Sequence, residues 1–268
     1  MLDVTFYKMR PKVIVLRTPG TNCDQETAYA FEISGANVEL VHINRLKRAE
    51  KRLLDYHILV MPGGFTYGDD ISAGKILANE LRFRLGDDLQ RFVEEGRLIL
   101  GICNGFQVLV KAGYLPNLKG RGEQEATLAF NDSDRFEDRW IYLRETSGGK
   151  CVFTRGIEET IYLPVAHAEG KFVPRSEQLL RELWENSQIA LQYVTRENEP
   201  AGYPDNPNGS IDGVAGICDP TGRIFGLMPH PERHIHPTQH PRWTREGLRS
   251  PDGLVIFRNG VEFASDAL

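Results

Sequence analysis

Cysteine is scarce in this sequence, and its arrangement excludes two classes of protein. Among 268 residues there are four cysteines and no C-x-x-C pair: Cys23, Cys103, Cys151 and Cys218. This scatter excludes a zinc ribbon and the disulfide framework of a small secreted domain. We therefore predict reduced thiols, no bound metal and an intracellular, cytoplasmic protein.

Long apolar runs and an excess of positive charge are also missing. No apolar run approaches the ~20 residues that a membrane-spanning helix needs. The start of the chain lacks the charged, apolar and small-residue regions of a signal peptide. A net charge of −5 and a pI near 5.9 give no electrostatic reason to expect nucleic acid as a ligand. We predict a soluble protein without membrane or nucleic-acid contacts.

The length and composition suit one large domain or two small ones. With 268 residues, 41% of them hydrophobic, the chain can bury the core of a single α/β domain. No linker or internal repeat divides it. We predict an N-terminal extension over residues 1–11 and one domain over residues 12–268.

The first half of the chain alternates between strand and helix patterns. Continuous aliphatic runs predict strands at residues 12–17, 37–43, 57–61 and 98–102. Helical patterns follow at residues 22–34, 71–81, 86–95 and 104–112. Strands that are apolar throughout and alternate with helices indicate a parallel sheet covered on both faces. In such sheets, ligands bind beyond the carboxyl ends of the strands.

The pattern changes after Gly113. Short apolar runs joined by turns predict strands at residues 127–131, 140–146, 151–154, 160–165, 189–194, 214–218 and 223–228. They indicate a mixed or antiparallel part of the sheet, and residues 253–263 predict a closing helix. The turn-forming residues 203–210 predict an exposed loop.

A nucleophile is predicted where the fourth strand meets a helix. Cys103 lies between Gly101 and Gly105 in a Gly-x-Cys-x-Gly turn. This arrangement is typical of a nucleophile elbow, where the helix N-terminus favours the reactive thiolate. The pattern alone leaves a second interpretation open, because most intracellular cysteines are inert core residues.

A cysteine nucleophile needs a base, and His230 is the best placed of the seven histidines. It follows the predicted strand at residues 223–228 and lies between two prolines. Glu232 is two residues further on, so in an extended chain its carboxylate can accept a hydrogen bond from the His230 ring. The residues alone equally allow a rigid surface turn with a solvated carboxylate.

Acyl transfer also needs donors for the developing oxyanion. The backbone N–H of Asn104, next to the nucleophile, is one candidate. The other candidates lie in the turn after the third predicted strand, at Gly63, Gly64 and Phe65. The alternatives are an ordinary turn and a phosphate-binding loop, although the stretch lacks G-x-G-x-x-G or Walker spacing.

Three other polar stretches are considered for function. We interpret Cys23 as a small buried residue at a helix start, not as a second nucleophile. We interpret His234, His236 and His240 as part of an exposed polar loop rather than as metal ligands. Residues 167–170, with the sequence His-Ala-Glu-Gly, either line a site or form a loop after a strand.

Several motifs in the same order resemble a known family. They occupy residues 18–24, 62–69, 101–107, 206–210 and 226–233, and the similarity spans about residues 12–263. The elbow and the His-Pro-Glu segment resemble the class I, triad-type glutamine amidotransferases. The remaining motifs are similar to the glutaminase subunits of phosphoribosylformylglycinamidine synthase, of purine biosynthesis. Ala168 departs from this family, which usually has glycine there.

The resemblance implies a three-layer, flavodoxin-like α/β fold and a reaction. Glutamine is hydrolysed through a thioester on Cys103, with His230 as base and then acid and Glu232 orienting it. Gln107 and the Gly64 region help to hold glutamine or its oxyanion. Ammonia passes to a large synthetase subunit that uses ATP, Mg and formylglycinamide ribonucleotide, and in some members a small third protein bridges the two. This subunit itself is expected to need no cofactor.

The sequence leaves three alternative functions open. They are a subunit that keeps the fold without the chemistry, a stand-alone cysteine hydrolase, and the glutaminase of another amidotransferase. The presence of Cys103, His230 and Glu232 disfavours the first. Residues 234–251 are long and basic, and we expect them to touch a partner or to pack on the domain.

Overall fold

The computed structural model describes residues 9–118 and 122–268, so the predicted extension over residues 1–11 lies mostly outside the described residues. The strands are β1 (Lys12–Arg17), β2 (Asn37–His42), β3 (Ile58–Met61), β4 (Leu98–Ile102), β5 (Ala126–Phe130), β6 (Glu137–Glu145), β7 (Ile161–His167), β8 (Glu169–Pro174), β9 (Ile189–Val194), β10 (Val214–Cys218) and β11 (Ile224–Leu227). The α-helices are α1 (Asp24–Ile33), α2 (Ile43–Lys47), α3 (Lys75–Arg84), α4 (Gly86–Glu94), α5 (Asn104–Lys111), α6 (Glu177–Glu185), α7 (Trp243–Glu246) and α8 (Leu254–Ala267). Short 3₁₀ helices cover Leu53–Asp55, Thr66–Asp69, Val152–Thr154, Ile211–Gly213, Pro231–Arg233 and Pro237–Gln239.

A nine-stranded sheet forms the centre of the domain. Its strand order is β2-β1-β3-β4-β11-β10-β9-β6-β7. The pairs from β2 to β11 are parallel, whereas β10, β9, β6 and β7 pair in antiparallel fashion. β5 and β8 form a separate antiparallel ribbon. The predicted α/β class, parallel in the first half and mixed in the second, is confirmed.

Burial along the strands follows their place in the sheet. Every residue of the central strands β3 and β4 is buried, as the continuous aliphatic runs predict. β2 lies at the sheet edge and buries only Val41 completely among its six residues. The apolar runs therefore mark the middle of the sheet, where β3 and β4 lead to the predicted Gly63–Phe65 turn and the predicted elbow at Cys103.

Helix α5 follows β4 and lies in the interior. All eight of its residues are buried, whereas the surface helix α4 buries only Leu89 and Phe92. Lys111 is among the buried residues of α5; its ammonium donates to the carbonyl of Ala73, and burial lowers its pKa. None of the helices in the described residues is long and apolar enough to span a bilayer.

Two predictions about local structure after Gly113 are wrong. The predicted strand at residues 151–154 is the 3₁₀ helix Val152–Thr154, whose side chains are buried. A short apolar run does not distinguish a strand from other buried segments. The predicted strand at residues 160–165 extends to His167, and β8 begins two residues later, so residues 167–170 are not a loop.

Helix α6 and strand β8 were not predicted from the sequence. α6 begins at a normal helix signal, because the Ser176 side chain accepts a hydrogen bond from the N–H of Leu179. It buries only Leu179 and Leu183, so its apolar stripe is narrow. β8 alternates buried and half-buried residues against a single partner strand, which is a weak strand pattern.

Two predicted exposed loops are partly buried. Within residues 203–210, Asn206, Asn208 and Ser210 are buried. His234 and His240 are also buried and pack on the aromatic rings of β6 and β7, whereas His236 is exposed. The start of the basic segment 234–251 thus packs on the domain.

Candidate active site

Three neighbouring parallel strands end at one edge of the sheet and bring the predicted site together. β3 pairs with β4, and β4 pairs with β11. The residues that follow these strands are Gly63, Cys103 and His230, respectively. Residues that are 40 to 167 positions apart therefore meet at the carboxyl edge of the sheet, where ligands bind in this fold class.

Cys103 forms a strained elbow between β4 and α5. Its φ of 50° and ψ of −105° are rare for a residue with a side chain. The flanking glycines allow close packing: a Cβ on Gly105 would lie 1.9 Å from the Met61 carbonyl oxygen, and one on Gly101 would lie 2.6 Å from Leu109 Cδ1. The predicted elbow is therefore present, with the strain on the cysteine itself.

His230 and Glu232 form a buried pair. Nδ1 of His230 lies 2.6 Å from Oε1 of Glu232, and the two side chains are 2% and 0% exposed. The interpretation as a solvated surface turn is therefore wrong. Within the described residues, Nε2 of His230 is buried and free of hydrogen bonds. Burial disfavours the charged ring, but the Glu232 carboxylate and the Cys103 sulfur raise the pKa of His230 well above its usual value.

Cys103 lines a narrow pocket. Its sulfur lies 3.8 Å from the carbonyl oxygen of Ala166, and its side chain is almost wholly buried. The other lining residues are Gly64, Phe65, Asp69, Ala73, Gln107, Ala166, His167, Ala168 and Glu169. Three of the five predicted substrate or oxyanion residues therefore lie in the pocket.

The backbone N–H groups differ in their availability. The N–H of Phe65 donates to the Gly20 carbonyl over 2.9 Å, so it is not free for an oxyanion, although the Phe65 ring lines the pocket. Asn104 is the first residue of α5, where a backbone N–H has no partner within the helix. Gly64, with a φ of 146°, has no hydrogen bond from its N–H within the described residues.

Gly63 lies beside the base and is not among the described residues that line the pocket. A Cβ at Gly63 would lie 2.8 Å from Cε1 of His230 and 3.3 Å from the sulfur of Cys23. Its carbonyl accepts from the N–H groups of Asn22 and Cys23. Gly63 therefore gives the imidazole room beside the turn.

Asn104 and Gln107 are linked behind the pocket. The Asn104 amide donates to Gln107 Oε1 over 2.9 Å and to Asp69 Oδ1 over 3.1 Å. The Gln107 amide donates to the Glu169 carbonyl over 2.6 Å. These bonds orient Gln107 at the pocket wall. The side chain of Asn104 positions Gln107 and Asp69 from behind.

Two carboxyl groups lie in the pocket and were missed by the sequence analysis. Asp69 ends the Pro-Gly-Gly-Phe-Thr-Tyr-Gly-Asp motif, and Glu169 lies in the His-Ala-Glu-Gly stretch. Burial raises the pKa of Asp69, and the charge of Glu169 adds to that effect. Their presence in conspicuous motifs was the available signal, but the residue pattern does not show that they share a cavity.

Cys23 lies on the far side of the base. It is buried at the start of α1, which confirms the predicted position. Its sulfur lies 4.0 Å from Nδ1 of His230 and accepts from the Arg233 guanidinium over 3.2 Å. Cys23, His230 and Glu232 offer metal-ligating atoms within 4.8 Å of one another, but the hydrogen bond between His230 and Glu232 already engages two of them.

The site combines a cysteine elbow with a buried histidine–carboxylate pair at the edge of a mainly parallel sheet. This combination is typical of enzymes that use a Cys-His-carboxylate triad. Residues 10–264 match the CobB/CobQ-like glutamine amidotransferase domain. The chain is 51% identical to phosphoribosylformylglycinamidine synthase subunit PurQ of Dehalococcoides mccartyi, over 94% of this chain and 97% of that protein. It is 45% identical to the PurQ subunit of Methanococcus maripaludis, over 96% of this chain and 98% of that protein.

A solved structure agrees with these sequence comparisons. The structure of PurLQS from Thermotoga maritima has a TM-score of 0.73 and 30% identity, and the match covers 95% of this chain and 99% of that chain. The chain therefore belongs to the CobB/CobQ-like glutamine amidotransferases, enzymes that use glutamine as a nitrogen donor. Within them it is a member of the PurQ family of phosphoribosylformylglycinamidine synthase subunits. The predicted family is confirmed.

Proposed function

We propose that Cys103, His230 and Glu232 form the triad of a glutaminase that supplies ammonia to phosphoribosylformylglycinamidine synthase. The observation that carries this proposal is the buried hydrogen bond of 2.6 Å between His230 and Glu232, at the same sheet edge as the strained Cys103. The carboxylate orients the ring and stabilises its charged form, as the third member of a triad does.

The first half of the reaction forms a thioester. The Cys103 thiolate attacks the side-chain amide carbon of glutamine, and the N–H groups of Asn104 and Gly64 stabilise the resulting oxyanion. When the carbon–nitrogen bond breaks, His230 gives its proton to the leaving nitrogen, and ammonia departs. In the second half, neutral His230 takes a proton from water, which attacks the thioester and releases glutamate and the thiolate.

The pocket provides groups that suit the α-ammonium of glutamine. Asp69 and Glu169 both line it, and the electrostatic influence of Glu169 reaches Asp69. A cation between two carboxylates relieves their repulsion and forms charge-assisted hydrogen bonds. We assign the substrate ammonium to this end of the pocket and the scissile amide to the Cys103 end, with Gln107 between them.

The ammonia is used by a partner. Free ammonia is largely protonated at neutral pH and is then no longer a nucleophile, so direct transfer protects it. We propose that it passes to a synthetase subunit, which holds ATP and Mg and acts on formylglycinamide ribonucleotide. Nucleotide binding belongs to that subunit, and a small bridging subunit completes the assembly. We place this assembly in the cytoplasm.

The two thiols beside His230 allow a matched test. Cys103→Ser is expected to lower glutamine hydrolysis at least a thousandfold, because a serine hydroxyl is a far weaker nucleophile at this site. Cys23→Ser, also buried and next to His230, is expected to keep measurable turnover. Release of glutamate is the measurement, with circular dichroism to verify folding.

Two results would contradict the proposal. Full activity in folded Cys103→Ser would remove Cys103 as the nucleophile. Complete loss of activity in folded Cys23→Ser, with Cys103→Ser active, would assign the chemistry to the other sulfur.

A further inference from the structure

One wall of the pocket is the junction of β7 and β8, which we call the pocket turn (residues 166–170). It consists of the last two residues of β7, Ala168 and the first two residues of β8. Each of its five carbonyl groups has a hydrogen-bonding group next to it. The Cys103 thiol lies 3.8 Å from the carbonyl oxygen of Ala166. Asn131 donates from its side chain to the carbonyl of His167 and from its backbone N–H to that of Ala168. The Gln107 amide donates to the carbonyl of Glu169, and the Asn208 amide donates to that of Gly170.

His167 lies inside this turn as a neutral ring. Burial lowers its pKa to about 3, and the nearby His230 adds to the effect. Nδ1 of His167 lies 3.1 Å from Oδ1 of Asn131. Because the amide nitrogen of Asn131 donates to two carbonyl groups, this oxygen is an acceptor and Nδ1 carries the proton. Nε2 is therefore an acceptor, and Asn208 Nδ2 lies 3.5 Å from it.

Asn208 holds the other end of the turn. Its amide nitrogen donates to the Gly170 carbonyl over 2.9 Å, and its oxygen accepts from the N–H of Ser210 over 3.0 Å. The His167 ring lies against Gly170, where a Cβ would be 2.4 Å from Cε1 of the ring. The motif at residues 206–210 therefore contacts the turn that lines the pocket, although it lies outside the triad.

We propose that Asn208 is a positioning residue for glutamine. This inference rests on the proposed function. The Asn208 amide nitrogen donates to the Gly170 carbonyl and to the Tyr193 hydroxyl, and it lies 3.5 Å from Nε2 of His167. It therefore fixes the Gly170 end of the turn, which places Glu169 at the pocket. Loss of this amide lets the turn shift, so the Glu169 carboxylate no longer meets the substrate ammonium, while Cys103 and His230 keep their geometry.

Asn206 offers a matched control in the same motif. It is buried like Asn208, but its amide donates to the carbonyl of Ser210, 3.0 Å away, and not to the pocket turn. Asn206→Ala and Asn208→Ala each remove a buried amide of one asparagine. A general loss of packing would affect both variants, whereas loss of substrate positioning affects only Asn208→Ala.

The experiment measures how glutamine protects Cys103 from iodoacetamide in the full-length chain, with the modified peptide identified by mass spectrometry. Asn208→Ala is expected to raise the half-protecting glutamine concentration at least tenfold, with the alkylation rate without glutamine within twofold of the wild type. Asn206→Ala is expected to keep both values within twofold. The KM for glutamine is expected to rise as the half-protecting concentration does, with a smaller change in kcat.

Asn208→Asp separates the loss of hydrogen bonding from the loss of volume. The carboxylate has the shape of the amide but lacks its N–H donors. Its glutamine affinity is expected to be weak at pH 7.5 and to recover partly at pH 5.5, because protonation of the buried carboxyl restores a donor to the Gly170 carbonyl. The wild type is the reference at each pH.

The outcomes are separable. Equal glutamine protection in the wild type and Asn208→Ala would overturn the inference, as would equal losses in the Asn206 and Asn208 alanine variants. Slower alkylation of Asn208→Ala without glutamine would assign Asn208 to the nucleophile instead. A wild-type Cys103 that glutamine does not protect would overturn the proposed function itself.

Discussion

At the scale of single residues, the site combines strain with buried charge. Cys103 keeps a rare backbone conformation, and His230 lies with Glu232 out of contact with solvent. Neither arrangement is favourable alone, since strained backbone and buried charge each destabilise a fold. Both persist because the surrounding elements are tightly packed. Burial opposes the charge on the His230 ring, but the Glu232 carboxylate and the Cys103 sulfur raise the pKa of this proposed base.

Glu232→Gln is expected to lower the pKa of His230. Burial already disfavours the imidazolium, and the substitution removes the carboxylate that opposes this effect. The His230 ring is then neutral at lower pH, and glutamine hydrolysis is expected to fall at least tenfold. An NMR titration of the ring resonances measures the pKa directly, with His57 as an internal reference. An unchanged titration of His230 would show that Glu232 does not control its charge.

The same pair predicts a pH dependence of stability. The folded-state pKa of His230 lies above the unfolded value of about 6.5. The protonated ring therefore contributes stability that is fully present below about pH 6.5 and is lost as the pH rises through the folded-state pKa. In Glu232→Gln this loss is expected at lower pH. Urea unfolding at several pH values, with wild type and variant side by side, measures the difference.

At the scale of elements, the elbow depends on close contact between β3 and α5. Gly105 lies in the first turn of α5 and faces the carbonyl of Met61, the last residue of β3. A Cβ there would lie 1.9 Å from that backbone oxygen, which no rotation of a side chain can relieve. The glycine therefore sets how near the nucleophile approaches the turn that contains Gly64.

Gly105→Ala is expected to destabilise the fold by about 1–3 kcal/mol, as overpacking typically does. Gly86→Ala is the control, because Gly86 begins α4 and a Cβ there meets nothing within 4 Å. It is expected to be neutral or to stabilise by up to about 1 kcal/mol. Denaturant unfolding measures both variants, and equal stability of the two would contradict the packing argument.

Elements differed in how well the sequence predicted them. β1, β3 and β4 are short aliphatic runs inside the sheet, and this pattern was sufficient to predict them as strands. β8 was missed because it lies in a two-stranded ribbon and is only half buried. The Val152–Thr154 segment was misassigned because its side chains are buried in a 3₁₀ helix, and a short apolar run looks the same in either conformation.

At the scale of the whole molecule, the strand order decides the site. β11 is the last strand along the sequence, but in the sheet it lies next to β4. His230 therefore reaches Cys103 across 127 positions of sequence. The pocket turn comes from β7, at the far end of the strand order, and reaches the same pocket. Both halves of the chain thus contribute to one cavity.

For the proposed assembly, the isolated chain is expected to hydrolyse glutamine slowly. Addition of the synthetase subunit with ATP and formylglycinamide ribonucleotide is expected to raise the rate at least tenfold, because ammonia release is useful only when an acceptor is present. Glutamate release measures the effect. The control is the complex with Cys103→Ser, which is expected to make product from added ammonium salt but not from glutamine. High and equal rates with and without the partner would favour a stand-alone hydrolase.

The sequence by itself determined the parallel core, and its resemblance to a known family favoured Cys103 as the nucleophile with His230 and Glu232 as its partners. These expectations depend on local patterns: aliphatic runs, glycine spacing and the order of the motifs. The contact between His230 and Glu232 forms across the start of the 3₁₀ helix Pro231–Arg233 and not along the extended chain that the sequence analysis assumed. Only the tertiary structure decided that Phe65 has no free N–H, that Asp69 and Glu169 share the pocket, and that Asn208 holds its wall. Such contacts depend on strand order and on backbone hydrogen bonds between distant segments, which a local residue pattern does not record.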